Sequence, residues 1–301
     1  MPQNADTHVS HPVKDVDLKG GAVALLVSSF WGANPVAIKV GLLDAPPIRL
    51  AWMRFLVGGL VMVLWAWTTG RFAGFRIAPV EWPPLIFLGL LFTAQVGATN
   101  VGTSLTSAGH VAILLHLYAV HTVVLAHFMI PGDRLTVRKL AGALVAYAGI
   151  VILFARQVGH GSPTLPGDLI IIVSSFLLAL RTVYMARAVQ RLDPVKLLLA
   201  QAVIGTALFV LVSLAFEHEP TRWTARLAAS IGYQGVLVAG FNFIVNLWLL
   251  RHYRPSALAG FFLTQPLFGV ATAALITGDP LTPDLLLATV AVAVGIGLTS
   301  R

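Results

Sequence analysis

Val27-Ser28-Ser29-Phe30 returns letter for letter as Val173-Ser174-Ser175-Phe176, an offset of 146 residues. Gly132-Asp133-Arg134-Leu135-Thr136 returns as Gly278-Asp279-Pro280-Leu281-Thr282, and Gly149-Ile150 as Gly295-Ile296, both at the same offset of 146. Three matches in one register, spread along the chain, mark a duplicated half. Each half carries an odd number of membrane-length apolar runs. The second half must therefore enter the bilayer upside down relative to the first, which is the build of many secondary transporters.

The composition agrees with a membrane setting. The 301 residues are 57% hydrophobic and 11% charged, where a soluble domain carries about a quarter charged residues. The mean hydropathy is +0.84. No apolar run occupies the first 18 residues, so that segment reads as a disordered arm rather than a secretory signal. The absence of cysteine excludes disulfides, thiolate catalysis and cysteine metal sites.

Ten spans follow, at roughly 19–41, 47–68, 83–104, 107–129, 137–155, 167–187, 195–216, 227–249, 256–277 and 283–299. Most approach the ~20 residues that a helix needs to cross the hydrocarbon, and their continuous apolarity excludes a β-barrel. The expectation is an all-α integral membrane protein with ten transmembrane helices in two inverted five-helix repeats. Its parts are a tail over 1–18, a first repeat over 19–155, an outer linker over 156–166 and a second repeat over 167–301. The net charge of +8 reports orientation rather than nucleic acid. With the N-terminus cytoplasmic, thirteen Lys and Arg fall in cytoplasmic segments and four (Arg49, Arg156, Arg222, Arg226) outside. Both termini should therefore be cytoplasmic. Small residues at helical spacing, Gly142 with Ala146 and Ala291 with Gly295, point to close helix packing within the bundle.

Phe30-Trp31-Gly32-Ala33-Asn34-Pro35, then Lys39, Pro47 and Arg54-Phe55, resembles the opening of the drug/metabolite transporter superfamily, in its EamA-type exporter branch. The doubled Gly-Asp-x-Leu-Thr is similar to that family's loop, and the match runs from about residue 20 to 299. The resemblance implies ten helices, export of metabolites that are often amino acids, and an inner-membrane location. It also implies a central cavity between helices 1, 3, 4, 6, 8 and 9, with 5 and 10 peripheral. One departure stands out. The proline typical of the middle of span 4 is kept as Pro266 in span 9 but is Ala119 in span 4, so the halves should bend differently.

Polar groups within spans mark the candidate site. None of the twelve Asp and Glu falls mid-span, which disfavours a cation exporter driven by an intramembrane carboxylate. The buried charges are Lys39, Arg54 and Arg181, and a cationic lining suits a carboxylate-bearing substrate. Arg181 is the deepest, sharing a helical face with Ser174 and Tyr184. It either lines the cavity or snorkels to the surface. Lys39 and Arg54 lie nearer span ends, where pairing is the simpler role. Trp31, Asn34 and Pro35 share a face at the middle of span 1, and Gln265-Pro266 sits mid-span in span 9. Gln95, Asn100, Asn242 and Asn246 add amides that serve as substrate donors or as interhelical glue.

The expected substrate-binding set is thus Trp31, Asn34, Gln95, Tyr118, Arg181, Tyr184, Asn242 and Gln265, with no catalytic residue. The rings of Trp31, Phe30, Tyr118 and Phe241 would suit bulky apolar side chains. Span 4 holds His110, His116, His121 and His127 without the i, i+4 spacing of a helical metal pair. No metal and no cofactor is expected. His116 and His121 are candidates for a proton relay. The histidine run lacks an acidic partner, which counts against a lipid-modifying enzyme. A sugar-phosphate exchanger would want several convergent cations, and a channel would want a charged ring. The implied partners are a small-molecule substrate and the bilayer, not nucleic acid, with the chain a monomer or homodimer.

Overall fold

Asp17 opens the first helix: its carboxylate accepts the backbone N–H of Gly20 at 2.8 Å, satisfying one of the orphan donors of a helix start. The computed structural model describes residues 16–70, 76–132, 134–160, 163–253, 258 and 261–299. The helices are α1 (Leu18–Gly41), α2 (Pro47–Thr68), α3 (Trp82–Leu105), α4 (108–129), α5 (Val137–His160), α6 (Leu165–Ala188), α7 (Pro194–Phe216), α8 (225–252), α9 (Gln265–Thr277) and α10 (Pro283–Thr299). Among the described residues, α1 to α8 are long and apolar enough to cross a membrane, and α9 and α10 are shorter apolar helices. The protein is an all-α membrane protein of two five-helix repeats.

Local chemistry sets the boundaries. Proline stands at the start of α2, α3, α6, α7 and α9, where its missing N–H costs nothing. Ser107 caps α4, Asp193 caps α7 and Thr224 caps α8. The glycine of the repeated Gly-Asp-x-Leu-Thr takes a left-handed backbone in both copies, with φ of 88° at Gly132 and 72° at Gly278. Only glycine enters that region freely, which explains why this letter survives in both halves.

The packing pattern maps onto itself when the halves are exchanged. α1 packs on α9 and α8, as α6 packs on α4 and α3; α3 packs on α7 as α8 packs on α2. α2 packs on α7, α4 on α9 and α5 on α10. The α5–α10 seam shows the exchange residue by residue. A Cβ added at Gly142 would lie 2.6 Å from the carbonyl of Gly295, and one at Gly149 would lie 3.2 Å from that of Ala288. The offset of 146 converts the first pair into the second. Only residues without a side chain to intrude allow backbones this close.

Several expectations need correction. α5 continues to His160 and α6 begins at Leu165, so most of the expected linker over 156–166 is helical. The connection is residues 161–164, of which 161 and 162 lie outside the described residues, as do residues 1–15 of the expected tail. α1 runs unbroken through Asn34-Pro35, so Pro35 costs a backbone hydrogen bond without ending the helix. The interruptions fall elsewhere. α4 tightens to a 3-10 turn at Leu115–Leu117, and a turn at 263–264 precedes α9. Subtracting the offset from 263 gives 117, so the two irregularities fall at one register, with proline beside one and not the other. α8 widens to a π-helix over Tyr233–Phe241.

Helices α1 and α10 begin and end, respectively, on what is called here the terminal face; the 42–46 turn lies on the opposite face. α1 packs against α3 and α4, whereas the counterpart pairs, α6 with α8 and with α9, do not pack closely among the described residues.

Candidate functional site

The expected site residues divide among three helix seams. In the α4–α9 seam, His116 Nδ1 lies 2.5 Å from the carbonyl of Ala112 and its Nε2 3.1 Å from Gln265 Oε1. A carbonyl accepts only, so Nδ1 carries the proton. A neutral His116 then offers a lone pair at Nε2, and the Gln265 amide must turn its NH2 toward it. Tyr118 lies beside this pair, its ring 6.2 Å from His116. α1 reaches the same place: a Cβ on Gly32 would stand 2.4 Å from the Gln265 carbonyl. Trp31 meets Phe262 edge-on at 6.3 Å, and the Asn34 Oδ1 is buried with no partner among the described residues. His116, Tyr118 and Gln265 thus belong to one neighbourhood, which α1 reaches at Gly32.

In the α3–α6 seam, Gln95 Nε2 donates to Thr99 Oγ1 at 3.0 Å and to Ser174 Oγ at 3.3 Å. Ser174 Oγ donates in turn to the Gln95 carbonyl at 2.8 Å. The face shared by Ser174, Arg181 and Tyr184 looks at α3 throughout. The Arg181 guanidinium lies 5.1 Å over the Phe92 ring, and Tyr184 rests 4.8 Å from Phe87. Among the described residues no acceptor pairs with Arg181. Phe92 is itself ringed by Phe55 and Phe209 of α2 and α7. In the α1–α8 seam, Asn242 Nδ2 donates to the Val27 carbonyl at 3.0 Å, while its Oδ1 finds no partner among the described residues. Gln95 and Asn242 therefore join equivalent helix pairs, α3 to α6 and α8 to α1. Phe30 packs edge-on to Tyr233 and Phe241 at 6.1 and 6.3 Å.

The other cations are engaged. Lys39 Nζ donates to the carbonyls of Thr103, Ser104 and Thr106 at 3.0, 3.4 and 2.6 Å, satisfying the orphan acceptors at the end of α3. Arg54 is 5% exposed and donates to Gln234 Oε1 at 2.8 Å, tying α2 to α8. Arg181 is distinguished by lacking such a tie. Asn100 Nδ2 donates to the Pro47 carbonyl at 2.7 Å, a structural role.

The histidines separate. His121 Nδ1 meets Ser175 Oγ at 3.2 Å and packs edge-on to Phe176, facing α6 while His116 faces α9. The structure does not join the two. His127 Nδ1 accepts the backbone N–H of Leu135 at 3.2 Å. The expectation that the run lacks an acidic partner fails at His110, whose Nδ1 lies 3.0 Å from Asp168 Oδ2. Sequence reading missed Asp168 because it stands in the first turn of α6, which suggested a solvated end. The burial of that turn against the α3–α4 junction is a tertiary fact. Among the described residues, no three His, Asp or Glu converge as a metal site. A surface cleft on the terminal face, lined by residues 127–132 and Arg134, contains none of the expected site residues.

Known proteins resemble this chain along its length. "Uncharacterized transporter YvbV" of Bacillus subtilis (strain 168) is 28% identical over 260 residues, 85% of this chain and 83% of its own. A "Probable amino-acid metabolite efflux pump" of Escherichia coli (strain K12) is 26% identical over 294 residues, covering 92% and 93%. A solved structure titled "Crystal structure of protein" superposes with a TM-score of 0.67 at 17% identity, over 93% of this chain and 97% of that one, a likeness of fold. The model of the EamA-like transporter family matches residues 18–155 and again 165–301, one copy to each repeat. The chain belongs to the EamA-like transporter family.

Proposed function

We propose that this transporter exports amino acids, or small metabolites that likewise carry a carboxylate, by alternating access between its two repeats. The terminal face is cytoplasmic in this reading, on the thirteen-to-four distribution of basic residues. The observation that carries the substrate class is Arg181. A guanidinium within a span, set over an aromatic ring and with no acceptor among the described residues, is costly unless an anion completes it. A carboxylate matches its fork. A phosphate would call for further free cations, but Lys39 is committed to α3 and Arg54 to Gln234. The relatives named as efflux pumps for amino-acid metabolites support the same class. Trp31, Tyr118, Phe30 and Phe241 suit an apolar or aromatic side chain, with the His116–Gln265 pair and Asn34 at hand for the amino end.

Export from cells expressing variants tests this. A hydrogen-bonded charge pair is worth about 1.5–3 kcal/mol, so Arg181→Ala should lower transport about 10- to 100-fold with the protein still in the membrane. Arg181→Lys should recover part, since a point charge cannot reproduce the bidentate fork. Undiminished export by Arg181→Ala would return Arg181 to a snorkelling cation.

A further inference from the structure

The α3–α6 seam that carries Arg181 also carries an unused acceptor. Gln95, Thr99 and Ser174 are all buried there. The tip of the Gln95 amide meets both hydroxyls, and the hydroxyls meet one another at 2.7 Å. Both also reach the main-chain carbonyl of Gln95, at 3.0 Å from Thr99 and 2.8 Å from Ser174. The carbonyl and the neighbouring hydroxyl take the two hydroxyl protons. An amide NH2 supplies protons for the remaining contacts, where an oxygen would supply none, so the NH2 faces the hydroxyls. Gln95 Oε1 is thereby turned away from them. It has no partner among the described residues, and it is not sealed as Asn242 Oδ1 is.

We infer that Gln95 Oε1 accepts a hydrogen bond from the substrate's ammonium, which makes an amine beside the carboxylate a condition of good transport. The inference rests on the Arg181 reading above and narrows it from carboxylates to amino acids. An ammonium has three N–H groups, so Gln95 adds to the polar groups already named for the amino end, on the seam of the carboxylate fork itself.

Placement supports the assignment. α3 and α6 run antiparallel, since Gln95 meets Ser174, Phe92 meets Arg181 and Phe87 meets Tyr184. Phe92 stands just under one turn before Gln95, about 4.5 Å along the axis, and the Arg181 guanidinium lies over its ring. Side chains of α6 lean toward its N-terminus, so Arg181 reaches back along the seam toward Gln95. A donor fork and a free acceptor then follow one another, as a carboxylate and an ammonium on the adjoining carbon require. Thr99 and Ser174 are positioning residues, holding the NH2 so that the oxygen stays free. A buried acceptor left unpaired is costly, so a ligand without the amine is rejected as well as less attracted. The counterpart seam does not repeat the arrangement. Subtracting the offset from Arg181 gives Pro35, so the α1–α8 seam has its amide, Asn242, without a cation at the matching place.

Competition in proteoliposomes tests the inference. Counterflow of labelled phenylalanine is inhibited by unlabelled phenylalanine or by 3-phenylpropanoate, which keeps the ring and the carboxylate and lacks the amine. In the wild type 3-phenylpropanoate should be the weaker by about 10- to 100-fold, the weight of a hydrogen bond to a charged group. Gln95→Leu should bring the two together, weakening phenylalanine and leaving the inhibition constant of 3-phenylpropanoate where it was. Gln95→Glu, which keeps an oxygen at that place, should preserve the preference. A merely structural Gln95 would weaken both ligands alike, and that result overturns the assignment, as does a preference that survives Gln95→Leu. Equal inhibition by the two ligands in the wild type overturns it whether or not the variants fold. None of these outcomes touches Arg181, whose failure shows instead as indifference to the substrate's carboxylate. An absence of counterflow with any neutral amino acid would strike the transport reading.

Discussion

Gly295→Ala is the sharpest test of the two-fold packing. The added Cβ would stand 2.5 Å from the carbonyl of Gly142 and 2.7 Å from the Ala146 Cβ, where ordinary contact begins at 3.4 Å. The helices must part by the difference, about 0.9 Å, because neither a backbone carbonyl nor an alanine Cβ can rotate away. Overpacking of this kind costs about 1–3 kcal/mol. At about 2–4 °C per kcal/mol for a chain of this order of size, the detergent-solubilised protein should melt several degrees lower. Gly142→Ala should behave alike, since its Cβ would meet the Gly295 carbonyl at 2.6 Å. Gly59→Ala is the control: its Cβ finds only the Ala202 Cβ, at 3.9 Å, and alanine favours a helix by about 0.5–1 kcal/mol over glycine. Intrinsic tryptophan fluorescence on heating reads all three. If Gly295→Ala melts with the wild type, the close approach of α5 and α10 is wrong.

Two further predictions concern the opposite face. Asp44, in the turn between α1 and α2, accepts two bonds from Arg226 at 2.8 Å each and one from Thr224 at 2.7 Å. Arg226 first and Thr224 next hold its carboxyl down from 3.8 to about 2. A depressed carboxyl stabilises the fold above its unfolded pKa and ceases to do so as pH falls through the folded one. The stability gap between wild type and Asp44→Asn should therefore be full above pH about 4 and close toward pH about 2; a gap constant over that window would contradict the pairing. A cysteine placed at Gly161 should be labelled from outside intact cells, and labelling only after the cell is opened would reverse the proposed orientation.

Much of the fold was legible because the bilayer imposes one rule. Continuous apolar length gave α2 and α10 to the residue, and the offset of 146 gave the exchange of halves before any contact was known. What escaped was decided by neighbours. The proline of span 9 without a counterpart in span 4 suggested halves that bend differently, and α1 runs on through Pro35. The 3-10 turn of α4 falls at Leu115–Leu117, where no proline stands. For the site, composition picked out the buried polar groups but not their directions. Gln95 and Asn242 were read as substrate donors or as interhelical glue, and each bonds across a helix pair. His116 and Gln265, 149 residues apart, were singled out separately; that they bond is information held in the packing of α4 on α9. Asp168 looked like an exposed helix start and is fully buried.

The central claim, that an amino acid is carried by its carboxylate, is tested most directly by counterflow into liposomes holding the purified protein. Labelled phenylalanine outside should exchange with unlabelled amino acid trapped inside. Trapped phenylalaninamide, which keeps the ring and the amino group but lacks the carboxylate charge, should drive little exchange. Equal exchange with the amide, or none with any amino acid, would contradict the account.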